Sequence, residues 1–184
     1  MKRYFLVFAS ISSVLLVITF LLGIGVLNER SQGMVPPQLD QPLHASWFTW
    51  HMVIALVAVL FNLFVHCLVF TYLLGTGKWV KEVANAYAMP ADGWPKLTRQ
   101  FKVEINRYLI LAMVTSIVAA VTGAGSQTNP NGWWPLSHSI LAIAVVFING
   151  YVFWIEYRVI LKNEVALQEV KAAADTMRGP ALDE

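Results

Sequence analysis

Three long stretches of this sequence contain no charged side chain at all. No Asp, Glu, Lys or Arg occurs from Tyr4 to Asn28, from Gln41 to Gly77, or from Tyr108 to Ile155. A helix needs about 20 predominantly apolar residues to cross the hydrocarbon core of a bilayer. The first window holds one such span, about residues 5–27, and the second holds one, about 46–74. The third is too long for one. Its middle, residues 123–132, reads Gly-Ala-Gly-Ser-Gln-Thr-Asn-Pro-Asn-Gly, a dense set of helix-breaking residues. It divides into spans near 105–124 and 136–160. Backbone in lipid must satisfy its own hydrogen bonds, so each span is predicted to be helical. The expected fold is an all-α integral membrane protein, a bundle of four transmembrane helices.

Composition agrees. The chain is 57% hydrophobic and 13% charged, with a mean hydropathy of +0.58, whereas soluble domains carry about 25% charged residues. The first span resembles a secretory signal in following Lys2-Arg3. It is longer than a usual apolar signal core, and no convincing A-x-A cleavage site follows it, so it reads as a retained helix. The single cysteine, Cys67, lies within an apolar run, which excludes a disulfide framework and a four-cysteine zinc site.

Orientation follows from the basic residues. The N-terminus, the connection between spans two and three, and the tail together hold every Lys and Arg but one of the 13; only Arg30 falls on the opposite side. Both ends are therefore expected in the cytoplasm, as in a bacterial-type inner membrane. Lys78–Met89 mixes Trp79, Val80, Val83 and Tyr87 with charged residues, which suits an interfacial amphipathic helix between spans two and three. A helix is expected to start near Pro95 and run into span three. Span four is expected to continue beyond the membrane, giving a transmembrane domain over 1–161 and a cytoplasmic amphipathic helical tail over 162–184. No internal repeat is apparent.

All four histidines lie in or at the edge of a span, where an ionisable residue is a functional candidate by default. His44 and His51 stand at the outer end of span two, and His138 at the outer end of span four. His51 and His138 thus share a depth on two helices, among Trp47, Phe48, Trp50, Trp133 and Trp134. Two imidazoles facing one another across a bundle can hold the iron of a b-type haem. With His44 as a third ligand they can instead form a copper or zinc site. An aromatic belt at the interface, with no cofactor, accounts for the same residues.

His66 lies about 22 Å further along span two than His51, at 1.5 Å per residue. The spacing of His51 and His66 resembles the ligand pattern of di-haem b-type cytochromes, which implies a second haem ligand at His66. The pattern is half present, because Asn149 to Phe153 on span four supply no histidine. Asn62 and Asn149 are alternative partners, able to fix the tautomer of His66 by hydrogen bonding. At the inner boundary, Glu104, Arg107, Glu156 and Arg158 suggest Arg–Glu pairing between spans three and four, or, with Lys102, a lipid phosphate site.

The sequence contains no Walker A motif, GxGxxG, nucleophile elbow or HExxH, and a net charge of +2 gives no footprint for nucleic acid. A non-catalytic subunit of a larger, respiratory or redox-type membrane complex is expected, an accessory anchor compatible with haem b and quinol-linked electron transfer. Its partners would be the lipid bilayer, other membrane subunits and a quinone. A metal-handling or assembly factor with a site at His44, His51 and His138 is the alternative.

Overall fold

A computed structural model describes residues 1–31, 47–129 and 132–178. They form four helices: α1 (Lys2–Ser31), α2 (Trp47–Ala86), α3 (Trp94–Thr128) and α4 (Trp134–Arg178). Each is long and apolar enough to cross a membrane, as a multi-pass protein requires. Their exposed large side chains are apolar along the spans, Leu21, Leu60, Val121 and Phe147 among them. A lipid-facing surface needs this composition, and water would oppose it.

The helices outrun the bilayer at one end. With 40, 35 and 45 residues, α2, α3 and α4 are about 50–70 Å long against a hydrocarbon core of about 30 Å. The excess lies at the lysine-rich end. There Ala84, Met89 and Ala174 form a small core with Val83, Tyr87, Trp94 and Ala173 around it. The separate interfacial helix expected over Lys78–Met89 is not found. Nothing between Leu74 and Ala86 breaks the hydrogen-bond ladder, so these residues prolong α2. The helix ends instead at Ala88, whose φ is 52°. Met89 N–H reaches Ala84 O at 2.8 Å and Ala88 N–H reaches Asn85 O at 3.4 Å, a Schellman closure normally built on glycine. Helix α3 then begins at Trp94 with Pro95 in its first turn, where a missing N–H costs nothing.

In the bundle α2 packs against all three other helices, and α1 and α3 each pack on α2 and α4. The arrangement repeats itself. Trp47, His51, Ala55, Val59, Asn62 and Val65 of α2 match Trp134, His138, Ala142, Val146, Asn149 and Val152 of α4, each pair 87 residues apart. Gly23 and Gly25 of α1 match Gly123 and Gly125 of α3, 100 residues apart. The hairpin α1–α2 is thus a divergent copy of α3–α4, and the absence of a repeat expected above is corrected. The α2 and α4 identities are spaced three or four residues apart along one helical face and the two glycines of α1 and α3 two apart, so no contiguous run of matches betrays them.

Candidate functional site

The repeat places one histidine of each hairpin at the same height, and the packing is the same in both. A Cβ on Gly23 would lie 3.2 Å from Cε1 of His51, and a Cβ on Gly123 would lie 3.0 Å from Cε1 of His138. One turn outward, a Cβ on Gly25 or on Gly125 would come within 2.6 Å of the indole of Trp47 or Trp134. At Gly25 and Gly125 a side chain would displace the indole, and at Gly23 and Gly123 it would crowd the imidazole. Each ring is also tethered to the same helix it packs on. His51 Nδ1 lies 3.0 Å from Thr19 O, and His138 Nδ1 lies 3.0 Å from Ala119 O. A backbone carbonyl only accepts, so both Nδ1 atoms carry a hydrogen. The two rings meet edge to face, centroids 6.2 Å apart. Beside them, the hydroxyl oxygen of Thr19 is buried with no partner among the described residues.

The sequence-predicted pair His51 and His138 is therefore brought together. His44 lies outside the described residues. Among the described residues no group of three or more His, Cys, Asp or Glu converges.

Eleven residues along each helix from the histidines, or about 16 Å, stand the paired asparagines. They are the centre of a second, fully buried polar constellation. Asn62 Nδ2 donates to Asn149 Oδ1 at 2.8 Å and to Ser116 Oγ at 3.1 Å, while Asn62 Oδ1 accepts from Ser12 Oγ at 3.0 Å. Asn149 Nδ2 donates to Val145 O at 2.8 Å, which fixes the orientation of that amide and, through it, of Asn62. Asn149 Oδ1 also lies 2.9 Å from His66 Nε2, and His66 Nδ1 lies 2.7 Å from Glu156 Oε1. Ser12, Asn62, His66, Ser116, Asn149 and Glu156 are all 0% exposed.

Hydrogen bookkeeping constrains this network. Asn149 Oδ1 can only accept, so His66 Nε2 carries a hydrogen. The 2.7 Å contact then holds one shared proton, on Glu156 or on His66, and the pair is neutral as a unit in either form. Both ring nitrogens of His66 are thereby occupied, and the ring of Phe153 stacks on its face at 5.1 Å. His66 does not join the outer pair, and the second haem ligand suggested by its spacing is corrected to a hydrogen-bonded member of the bundle core. Of the amides considered for it, Asn149 is the partner.

Glu156 was the residue misplaced by sequence. It does not pair with an arginine at the boundary. The guanidinium of Arg158 lies over the Trp154 ring and that of Arg107 over Tyr108, while Glu156 turns inward to His66. The signal that finds it is helical phase. Glu156 is seven residues from Asn149, two turns along the same face of α4, whereas Arg158 points elsewhere. One side of Glu156 remains open to account, because Oε2 is buried with no partner among the described residues.

The chain matches no protein-family model, and neither a curated protein nor a solved structure matches it.

Proposed function

We propose that the chain is an integral subunit of a redox-type membrane complex and that His51 and His138 hold a b-type haem between α2 and α4. The observation that carries this reading is the matched pair of rings, each fixed through Nδ1–H to a backbone carbonyl of the neighbouring helix at 3.0 Å. A backbone carbonyl on the far nitrogen is the usual way a protein orients a ligating imidazole. The two ring centres lie 6.2 Å apart, so both imidazoles would stand beside one bound group. Two nitrogens are too few for a structural zinc, which takes four ligands, but His51 and His138 would supply the protein ligands of a b-type haem. The orphan hydroxyl of Thr19 leaves a donor for a bound group.

The haem would supply one-electron chemistry, and the chain's residues would orient the ligands and exclude water. The basic residues at one end of the bundle support a reading in which both termini lie in the cytoplasm and the histidine end lies at the outer face of a bacterial-type inner membrane. Quinol is the electron donor that fits a site at that depth, and the projecting ends of α2, α3 and α4 offer a docking surface for partner subunits.

A pyridine haemochrome spectrum of the purified protein tests the assignment. One haem per chain is expected, lost in His51→Ala and in His138→Ala and retained in His66→Asn. Absence of haem from protein made with adequate haem supply refutes it. Zinc or copper that falls away in both His44→Ala and His51→Ala would favour the metal-handling alternative instead.

A further inference from the structure

The inner constellation has two orphan acceptors, and they lie on one line. Glu156 Oε2 and Asn163 Oδ1 are both buried without a partner among the described residues. Seven residues separate them, two turns or about 10 Å along one face of α4. From Asn163 the polar atoms continue to the lysine-rich end. Asn163 Nδ2 donates to Thr76 Oγ1 at 3.1 Å. Next to Thr76 is Gly77, where a Cβ would stand 3.9 Å from both Thr98 Oγ1 and the Lys102 ammonium. The Tyr72 hydroxyl also reaches the Asn163 side chain, and for the remaining orphan acceptor the donor small enough for a sealed helix seam is water.

In the other direction the chain of polar atoms stops. The amide hydrogens of Asn62 and Asn149 are committed to fixed acceptors, and an amide does not pass a proton on by accepting one at nitrogen. Beyond them Leu16, Ala58, Ala119 and Val145 form an apolar layer that separates the asparagines from the outer histidines.

We propose that His66 and Glu156 form a proton-loading site that exchanges with the lysine-rich end of the bundle, along the α2–α4 seam past Asn163 and Thr76, and is closed toward the histidine end. The shared proton between His66 and Glu156 is the one exchanged: one proton leaves to a water that enters the seam, and one returns from it. Leu73 and Ile160 are both fully buried in the surrounding core, so exchange requires local opening and not a standing channel. The other titratable groups packed around this core are Tyr72 of α2, Tyr108 of α3 and Tyr157 of α4; α1 contributes Phe5 and Ala9. Lys102 of α3 stands at the entrance, its ammonium 3.9 Å from where a Cβ on Gly77 would lie. The proposal is independent of haem at the outer pair.

Infrared difference spectra of the full chain in lipid, taken in H2O and D2O, test it. Glu156→Gln keeps the shape and can still donate to His66, but it removes the exchangeable acid. Bands of the Glu156 carboxyl or the His66 imidazole that shift in D2O and vanish in Glu156→Gln are expected. Asn163→Leu should slow that shift by about tenfold, as loss of one water-binding position along the path would, and Ser12→Ala should leave its rate unchanged. If Glu156→Gln does not assemble, Glu156→Asp keeps the acid and displaces its band, which makes the same assignment. Two results overturn the proposal: no D2O-sensitive band that depends on residue 156 after overnight exchange, or a shift slowed by Ser12→Ala and not by Asn163→Leu.

Discussion

Removing His66 alone should damage this protein far more than removing His66 and Glu156 together. In His66→Leu, a substitution of similar volume, Glu156 Oε1 loses its partner at 2.7 Å. Oε2 has none among the described residues to begin with, so the whole carboxyl group is left without a side-chain partner in the core. Breaking one side of a buried ionisable pair costs about 3–5 kcal/mol. In Glu156→Val, His66 keeps Asn149 on Nε2 and loses only the partner of Nδ1, a penalty of about 1–3 kcal/mol for one orphan polar atom. Valine is also the residue at the matching repeat position, Val69. In the double variant neither orphan remains. Asn149 Oδ1 still accepts from Asn62, and the site joins the apolar cluster of Val65, Val69, Phe153 and Val159 around it. The double variant should therefore lie within about 1 kcal/mol of wild type, a coupling of at least about 3 kcal/mol. Reversible unfolding in mixed micelles by titration with a denaturing detergent measures all four proteins of the cycle. A His66→Leu cost below about 1 kcal/mol, or a double variant as unstable as His66→Leu, would refute the reasoning that the two side chains satisfy one another.

Three further outcomes follow from the packing. Asn62→Leu removes three buried hydrogen bonds; at about 0.6 kcal/mol each in a membrane, a loss of roughly 2 kcal/mol is expected. A double-mutant cycle with Asn149→Leu should show coupling, and strict additivity would contradict the direct bond. Gly25→Leu and Gly125→Leu each drive a side chain into an indole and should cost about 1–3 kcal/mol. Both should shift tryptophan emission, and an effect confined to one hairpin would contradict the repeat. Ala88→Gly removes a strained left-handed alanine from the end of α2 and should raise stability by up to about 1 kcal/mol, read as a higher unfolding midpoint.

The helices were legible because lipid imposes a single strong rule, that charge is excluded over about 20 residues. The same rule concealed the rest. Within a charge-free window nothing local marks which face of a helix turns inward, so the meeting of His51 with His138 rested on depth alone. The continuity of α2 was missed for a related reason. Lys78, Lys81 and Glu82 signal the end of the membrane, but a helix does not stop at the lipid boundary unless a breaker stops it, and the first breaker is Pro90. Glu156 was read by its charged neighbour Arg158. Its environment is set instead by residues three and four or seven and eight positions away, and Asn149, Val152 and Phe153 are all core residues.

The repeat explains why the two ends of the bundle differ. A group on the axis between α2 and α4 meets equivalent residues from both hairpins, and the outer end keeps that equivalence: His51 with His138, Trp47 with Trp134, Gly23 with Gly123, Gly25 with Gly125. The asparagines at the centre keep it too. One turn further it is lost. The position matching His66 is Phe153, and the position matching Glu156 is Val69. Here each hairpin contributes one polar and one apolar residue, so the polar two meet each other and the apolar two fill the space beside them. A symmetric pair of histidines offers two equivalent imidazoles, which suits a ligand with two equivalent faces. An unlike pair, one acid and one imidazole, holds a single proton between its members. Divergence at two positions of the repeated hairpin would be enough to separate the proposed site for a symmetric ligand at one depth from the proposed site for a proton at another.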